Sequence, residues 1–233
     1  MLESNEVEIL SKSLYTILKI EDLFKKSDFH ERYAKQLFRI GQQFNNLRRK
    51  EYITSNHTEE YLKWNSQKTP DYPMTKHECL IEITTLLCSF GLTHYEFLKR
   101  FFIETLLLDE LSNKTGIDIG KNPTYGTLVK AFRKLPNYDE KMNIMLDEDL
   151  RNALAHDTWY FEGTKMEYRN FKNQIIEISP TKIPQKINTV LIAYTVITTK
   201  YFQDFFPEIV EFYDKIGSRK INELFPLYGM NEE

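Results

Sequence analysis

The chain has 233 residues, of which 41% are hydrophobic and 28% charged, and its formal net charge is −3 at pH 7. These proportions are ordinary for a globular protein and exclude collagen-like or low-complexity chains. A net charge this close to zero gives no bulk attraction to nucleic acid, so any RNA binding must come from a local patch. The chain contains only 8 Gly and 8 Pro but 16 Phe and 14 Tyr. This low content of helix-breaking residues and high content of aromatic residues favours long helices packed through aromatic side chains.

The N-terminal part of the sequence predicts two helices. Apolar residues recur at intervals of three or four over 6–26 and again over about 29–54, which is the spacing of amphipathic helices. We assign 1–55 to this helical pair, as an extension packed on the rest. Residues 56–75 are polar, contain two prolines and lack periodicity, so we interpret them as a linker.

The second of these helices ends in the basic run Arg48, Arg49 and Lys50. Such a run can attract RNA phosphates. More often it is a solvated helix end, where positive charge is favourable to the helix dipole. We keep these residues as a weak candidate for RNA binding.

The region from 75 to 111 is apolar on almost every side of a helix, which predicts a central buried helix, bent or interrupted near Gly91. Pro123 and Thr124 have the order typical of a helix start. Asp139 is expected to begin another helix that runs on without a break into residues 147–161.

The hydrophobic period then changes from helix to strand. Residues 165–169 and 174–178 alternate between apolar and polar side chains, as a short β-hairpin does. A long amphipathic helix follows Pro184. We therefore assign 76–216 to one helical domain and 217–233 to a C-terminal tail.

The two cysteines do not predict a disulfide. Cys79 and Cys88 lie nine residues apart on one helix, which separates them by about 13.5 Å along its axis. His77 adds no second ligand pair at zinc spacing, so we expect neither a metal nor a cofactor. With no signal peptide and no membrane-spanning run in the sequence, we expect a cytoplasmic protein with reduced thiols.

The most informative segment is Arg151-Asn-Ala-Leu-Ala-His156. At about 100° per residue, Asn152 and His156 fall on one face of a helix, with Arg151 on its flank. An apolar stripe on the opposite side comprises Leu146, Leu150, Ala153 and Leu154. A permanently charged Arg beside a His that exchanges protons near neutrality is suited to phosphate chemistry.

An Arg, a polar residue directly after it and a His five positions after the Arg resemble the signature of HEPN domains. The resemblance covers roughly 76–206 and implies a mostly α-helical, up-and-down bundle of HEPN type with a small β-hairpin after the helix of the signature. Many members are metal-independent ribonucleases of toxin–antitoxin, defence or RNA-processing systems. By this resemblance His156 is a general acid or base, Arg151 neutralises charge at the scissile phosphate, and Asn152 orients the phosphate or the imidazole. The products would carry 2′,3′-cyclic phosphate and 5′-hydroxyl ends.

The same resemblance implies a homodimer whose two Arg–His sites face each other, RNA as the substrate, and a possible antitoxin protein as partner. Asp157, Tyr160 and Glu104 are candidates for supporting roles. The alternatives are that Asp157 only orients His156, that Tyr160 only packs, and that Glu104 belongs to a solvated charged face. Two other functions stay open at this level. One is a catalytically silent HEPN-like module that binds nucleic acid or protein, and the other is a helical interaction protein whose motif is accidental.

Overall fold

The computed structural model describes residues 3–29, 75–163, 165–179 and 182–207, and within these ranges the protein is mostly α-helical with one small antiparallel sheet. The mostly α-helical class is therefore confirmed. Most of the second predicted N-terminal helix, the linker, the basic run Arg48, Arg49 and Lys50, and the C-terminal tail lie outside the described residues. No described helix is both long enough and apolar enough to cross a membrane.

The described part of the chain contains six α-helices, one 3-10 helix and three strands. In chain order they are α1 (Ser4–Ile20), α2 (Lys76–Thr105), α3 (Leu108–Thr115), α4 (Tyr125–Phe132), the 3-10 helix Glu140–Ile144, α5 (Glu148–Ala155), β1 (Trp159–Glu162), β2 (Lys165–Arg169), β3 (Ile175–Ile178) and α6 (Ile183–Phe205).

These elements form two compact units. Of the described residues, those between 75 and 95 and between 147 and 190 belong to the first unit. Those between 3 and 29, 96 and 146, and 191 and 207 belong to the second.

The sheet of the first unit has three strands, whereas the sequence predicts a two-stranded hairpin. The expected hairpin is β2–β3, and β1 adds a third antiparallel strand on the other side of β2. The inner side chains of β2, Met166 and Tyr168, are buried, and α5 contacts this strand. β1 was not predicted from the sequence. Its four residues follow the motif helix almost directly and include three aromatics, and the segment is too short to show an alternation of apolar and polar side chains.

Helix α2 runs without interruption through Gly91, so of the bend or interruption predicted there, the interruption does not occur. The glycine instead allows α6 to approach closely. A Cβ atom at this position would lie 2.2 Å from Cδ1 of buried Ile187. Since no such contact is tolerated without movement, the missing side chain at position 91 fixes the approach of the two helices in this unit.

The first unit also contains Cys88, which is buried with its Sγ atom 3.8 Å from Sδ of Met166. Burial raises the pKa of this thiol to about 12, which keeps it protonated at physiological pH. Cys88 is therefore an apolar core residue and not a reactive one.

The second unit has an aromatic core, as the composition predicts. Phe24 pairs with Leu106 through an isolated antiparallel bridge, and Tyr201 donates a hydrogen bond of 2.7 Å to the carbonyl oxygen of Lys25. Helix α1 contacts the 3-10 helix. Rings that pack against one another in this core belong to Tyr15, Phe24, Phe29, Phe101, Phe102, Phe132 and Tyr201.

Tyr15 also donates a hydrogen bond of 2.8 Å to Oδ2 of Asp204, and Nζ of Lys19 lies 2.5 Å from the same oxygen. Burial, followed by this carboxylate, raises the pKa of Tyr15 well above its usual value. Three polar groups thus tie α1 to the last turn of α6 within this unit.

Two helix boundaries differ from the sequence predictions. The prediction of one continuous helix from Asp139 into the motif is wrong. The 3-10 helix ends at Ile144, and α5 begins at Glu148 with its own N-cap. The apolar region to residue 111 is likewise divided, because α2 ends at Thr105, immediately before the bridge formed by Leu106.

Candidate functional site

Helix α5 carries the candidate residues. Its first turn is held in place by Asp147, each of whose two carboxylate oxygens makes a contact. Oδ1 of Asp147 accepts a hydrogen bond of 3.0 Å from the backbone N–H of Leu150, which is the usual N-cap interaction. Oδ2 of the same carboxylate lies 2.6 Å from Nζ of Lys186 in α6. A helix of eight residues is not stable in isolation, so these contacts hold it in place.

The buried side of α5 agrees with the apolar stripe read from the sequence. Leu146, Leu150, Ala153 and Leu154 are all buried. Since the stripe fixes the rotation of the helix about its axis, the polar residues between these positions are directed away from the core.

Arg151 and Asn152 are joined by a hydrogen bond. Nη1 of Arg151 donates to Oδ1 of Asn152 over 3.0 Å, and both side chains are half-buried. On an ideal helix Arg151 and His156 point about 140° apart. The hydrogen bond directs the guanidinium towards Asn152, which shares a face with His156.

His156 is the C-cap of α5 and is exposed. Its backbone N–H donates to the carbonyl oxygen of Asn152 over 3.0 Å, so the i, i+4 relation holds to the end of the helix. Within the described part of the chain the imidazole makes no hydrogen bond, which leaves both ring nitrogens accessible to a substrate. We call Arg151, Asn152 and His156 the Arg–His cluster.

The chain leaves α5 through a tight C-terminal turn. The N–H of Thr158 donates to the carbonyl oxygen of Ala153 over 3.0 Å, and Asp157 between them has a φ of 53°. This is the Schellman arrangement, in which the residue after the C-cap adopts the left-handed conformation. Asp157 is exposed and adopts a left-handed backbone conformation that glycine usually adopts at this position.

Two other candidate residues predicted from the sequence, Tyr160 and Glu104, lie in β1 and α2. Tyr160 donates a hydrogen bond of 2.9 Å to Oε2 of Glu167, its cross-strand partner, and this bond raises the pKa of the tyrosine hydroxyl. Glu104 is half-buried in α2 and belongs to the second unit. Arg48, Arg49 and Lys50 lie outside the described residues.

One contact of α5 was not anticipated. Oδ1 of Asp149 accepts a hydrogen bond of 3.0 Å from the backbone N–H of Phe171, in the turn between β2 and β3. The sequence offered one signal for this turn, a phenylalanine at the tip of the predicted hairpin, where apolar residues are unusual.

The Arg–His cluster places a cation beside a group capable of proton transfer, and metal-free phosphoryl chemistry uses groups of both kinds. Among the residues that the structure describes, no three His, Cys, Asp or Glu side chains are grouped so that they could hold a metal ion. No family model, curated protein or solved structure matches the chain.

Proposed function

We propose that this protein is a metal-independent endoribonuclease with a helical bundle of HEPN type. The observation that carries the proposal is the hydrogen bond from Arg151 to Asn152 beside the exposed His156 on an anchored helix. It supports cleavage because a cation held in place before the reaction stabilises developing charge without reorganisation.

The proposed reaction is a transesterification within the RNA chain. The 2′-oxygen attacks the adjacent phosphorus, the bond from phosphorus to the 5′-oxygen breaks, and the products carry a 2′,3′-cyclic phosphate and a 5′-hydroxyl. His156 either removes the 2′ proton or supplies a proton to the leaving 5′-oxygen. Arg151 stabilises the charge on the non-bridging phosphate oxygens, and Asn152 holds the guanidinium in position.

We further propose a homodimer in which two Arg–His clusters form one cleft. The reaction needs both a base and an acid, while each cluster contains one imidazole. A second copy related by a two-fold axis would supply the other proton-transfer group. The small, exposed Ala155, which lies between Arg151 and the face shared by Asn152 and His156, allows such a close approach.

The test is cleavage of a single-stranded RNA by wild-type protein, His156→Ala and Arg151→Ala, with analysis of the product ends. His77→Ala is the matched control, because His77 is an exposed histidine at the start of α2. We expect His156→Ala to lose about 10²–10⁴-fold of the rate, with stability changed by less than about 0.5 kcal/mol. Arg151→Ala should lose activity similarly, and His77→Ala should cleave like the wild type.

Cleavage should persist in EDTA and yield only cyclic phosphate and 5′-hydroxyl ends. Wild-type rates in His156→Ala, or an absolute requirement for magnesium, would contradict the mechanism. A wild-type protein that binds RNA but does not cleave it would favour a catalytically silent binding module. Activity that appears only after a copurifying protein is removed would identify that protein as an antitoxin-like partner.

A further inference from the structure

The side chain of Phe171 is 81% exposed, the largest exposure of any large hydrophobic side chain in the described part of the chain. It lies at the tip of the turn between β2 and β3, and its ring therefore contributes almost nothing to the core. Single exposed hydrophobic residues are common on protein surfaces. Phe171 differs because the turn that presents it is ordered and positively charged.

Four hydrogen bonds donated by backbone N–H groups order this turn, which we call the aromatic turn and define as residues 169–174. Oδ1 of Asn170 accepts from the backbone N–H of Lys172 at 3.0 Å and from that of Gln174 at 2.9 Å. The backbone N–H of Asn170 donates to the carbonyl of Gln174, and that of Asn173 donates to the carbonyl of Asn170. The ring is thus presented by a backbone that is already fixed, which lowers the entropic cost of binding.

The aromatic turn carries two positive side chains and no negative one. Nζ of Lys172 lies 5.6 Å from the centre of the Phe171 ring, within the range of a cation–π contact. Arg169 is exposed and donates to the carbonyl oxygen of Asn173. An exposed ring with one cation beside it and a second in the same turn matches single-stranded RNA, whose bases stack on aromatic rings and whose phosphates attract cations.

The aromatic turn is also joined to the helix that carries the Arg–His cluster, through the bond from Phe171 N–H to Asp149. Asp149, Asn152 and His156 follow one another at intervals of three and four residues, so they share one face of α5. Along the axis, Asp149 precedes Asn152 by about 4.5 Å and His156 by about 10.5 Å. The turn therefore lies at one end of the face along which a substrate strand would have to run.

We propose that the aromatic turn binds single-stranded RNA next to the Arg–His cluster by stacking a base on Phe171. The proposal deepens the proposed function and rests on it for the identity of the substrate. Phe171 is a binding residue here, and Arg169 and Lys172 contact phosphates on either side of the stacked base.

The test is the binding of a fluorescently labelled, unstructured RNA oligonucleotide, followed by anisotropy, to the full chain carrying His156→Ala so that the RNA stays intact. In that protein, Phe171→Ala and Phe171→Leu should raise Kd by about five- to a hundredfold, while Phe171→Trp should bind at least as tightly as the parent. The matched control is Ile175→Ala, because Ile175 is a half-exposed apolar residue (49%) at the start of the neighbouring strand. Lys172→Ala should lower the slope of log Kd against log salt by about 0.7.

RNA cleavage by the Arg–His cluster and base stacking on Phe171 can be refuted independently of each other. If Phe171→Leu binds as tightly as the parent, or if Phe171→Ala has no effect while His156→Ala abolishes cleavage, the stacking inference is overturned and the ribonuclease stands. If the wild type cleaves no RNA but binds it in a way that needs the aromatic ring, the stacking inference stands and catalysis is overturned. A protein that binds no RNA, or one in which Phe171→Ala changes only the oligomeric mass, overturns the inference.

Discussion

Replacing Asp147 with alanine removes two contacts at once from the helix that carries the Arg–His cluster. Loss of the N-cap bond to Leu150 costs about 1 kcal/mol, within a range of about 0.5–2 kcal/mol. The ion pair with Lys186 is partly exposed, with side-chain accessibilities of 30% for the lysine and 18% for the aspartate. Solvent screening limits its contribution to about 1 kcal/mol at most. Asp147→Ala should therefore lower the free energy of unfolding by about 1–3 kcal/mol.

Asp147→Asn separates the two contributions, because asparagine keeps the cap acceptor and loses only the charge. We expect it to cost less than about 1 kcal/mol and to match Lys186→Met, which removes the same ion pair from the other side. Urea unfolding followed by circular dichroism measures all three variants, and Asp118→Ala, at an exposed aspartate, is the control. If Asp147→Asn destabilises the protein as much as Asp147→Ala does, the reasoning about the cap is refuted.

Gly91→Ala should lower stability by up to about 2 kcal/mol, because a clash costing about 1–3 kcal/mol with Cδ1 of Ile187 outweighs a gain of about 1 kcal/mol in helix propensity. In an Ile187→Val background, which lacks that methyl group, the same substitution should become neutral or stabilising, and equal urea midpoint shifts in both backgrounds would contradict the proposed helix contact. For assembly, light scattering at micromolar concentration should give about twice the chain mass of 27.9 kDa. Ala155→Arg, which places a large cation between two facing clusters, should return the mass to that of one chain, and a wild-type protein that is already monomeric would refute the dimer.

The features that the sequence predicted correctly depend on neighbours close in the chain. The helix start at Thr124 and the buried side of α5 follow from residues within one or two helical turns. A cap or an apolar stripe is readable because its partners lie three or four residues away. The hairpin formed by β2 and β3 could be predicted for the same reason, because apolar and polar side chains alternate through both strands.

What could not be predicted depends on contacts between distant segments. Gly91 suggested a break in α2, yet it serves the approach of Ile187, almost a hundred residues later. Nothing in the spacing around Asp149 indicates that its side chain accepts a hydrogen bond from the backbone of Phe171, 22 residues later. The Arg–His cluster itself was read from spacing, but spacing does not reveal that Arg151 turns towards Asn152. That orientation depends on side-chain rotamers and not on the helical period.

The contact between Tyr15 and Asp204 has a consequence for how the chain is made. These residues are 189 positions apart, so α1 is synthesised long before the helix that receives it. At about 5–20 residues per second, a ribosome needs roughly ten to forty seconds to cover that interval. During that time Tyr15 and Lys19 of α1 lack the carboxylate of Asp204, which both contact in the folded protein. The contacts that join α1 to the last turn of α6 can therefore form only after most of the chain has been made, and a chain that stops before residue 204 lacks them.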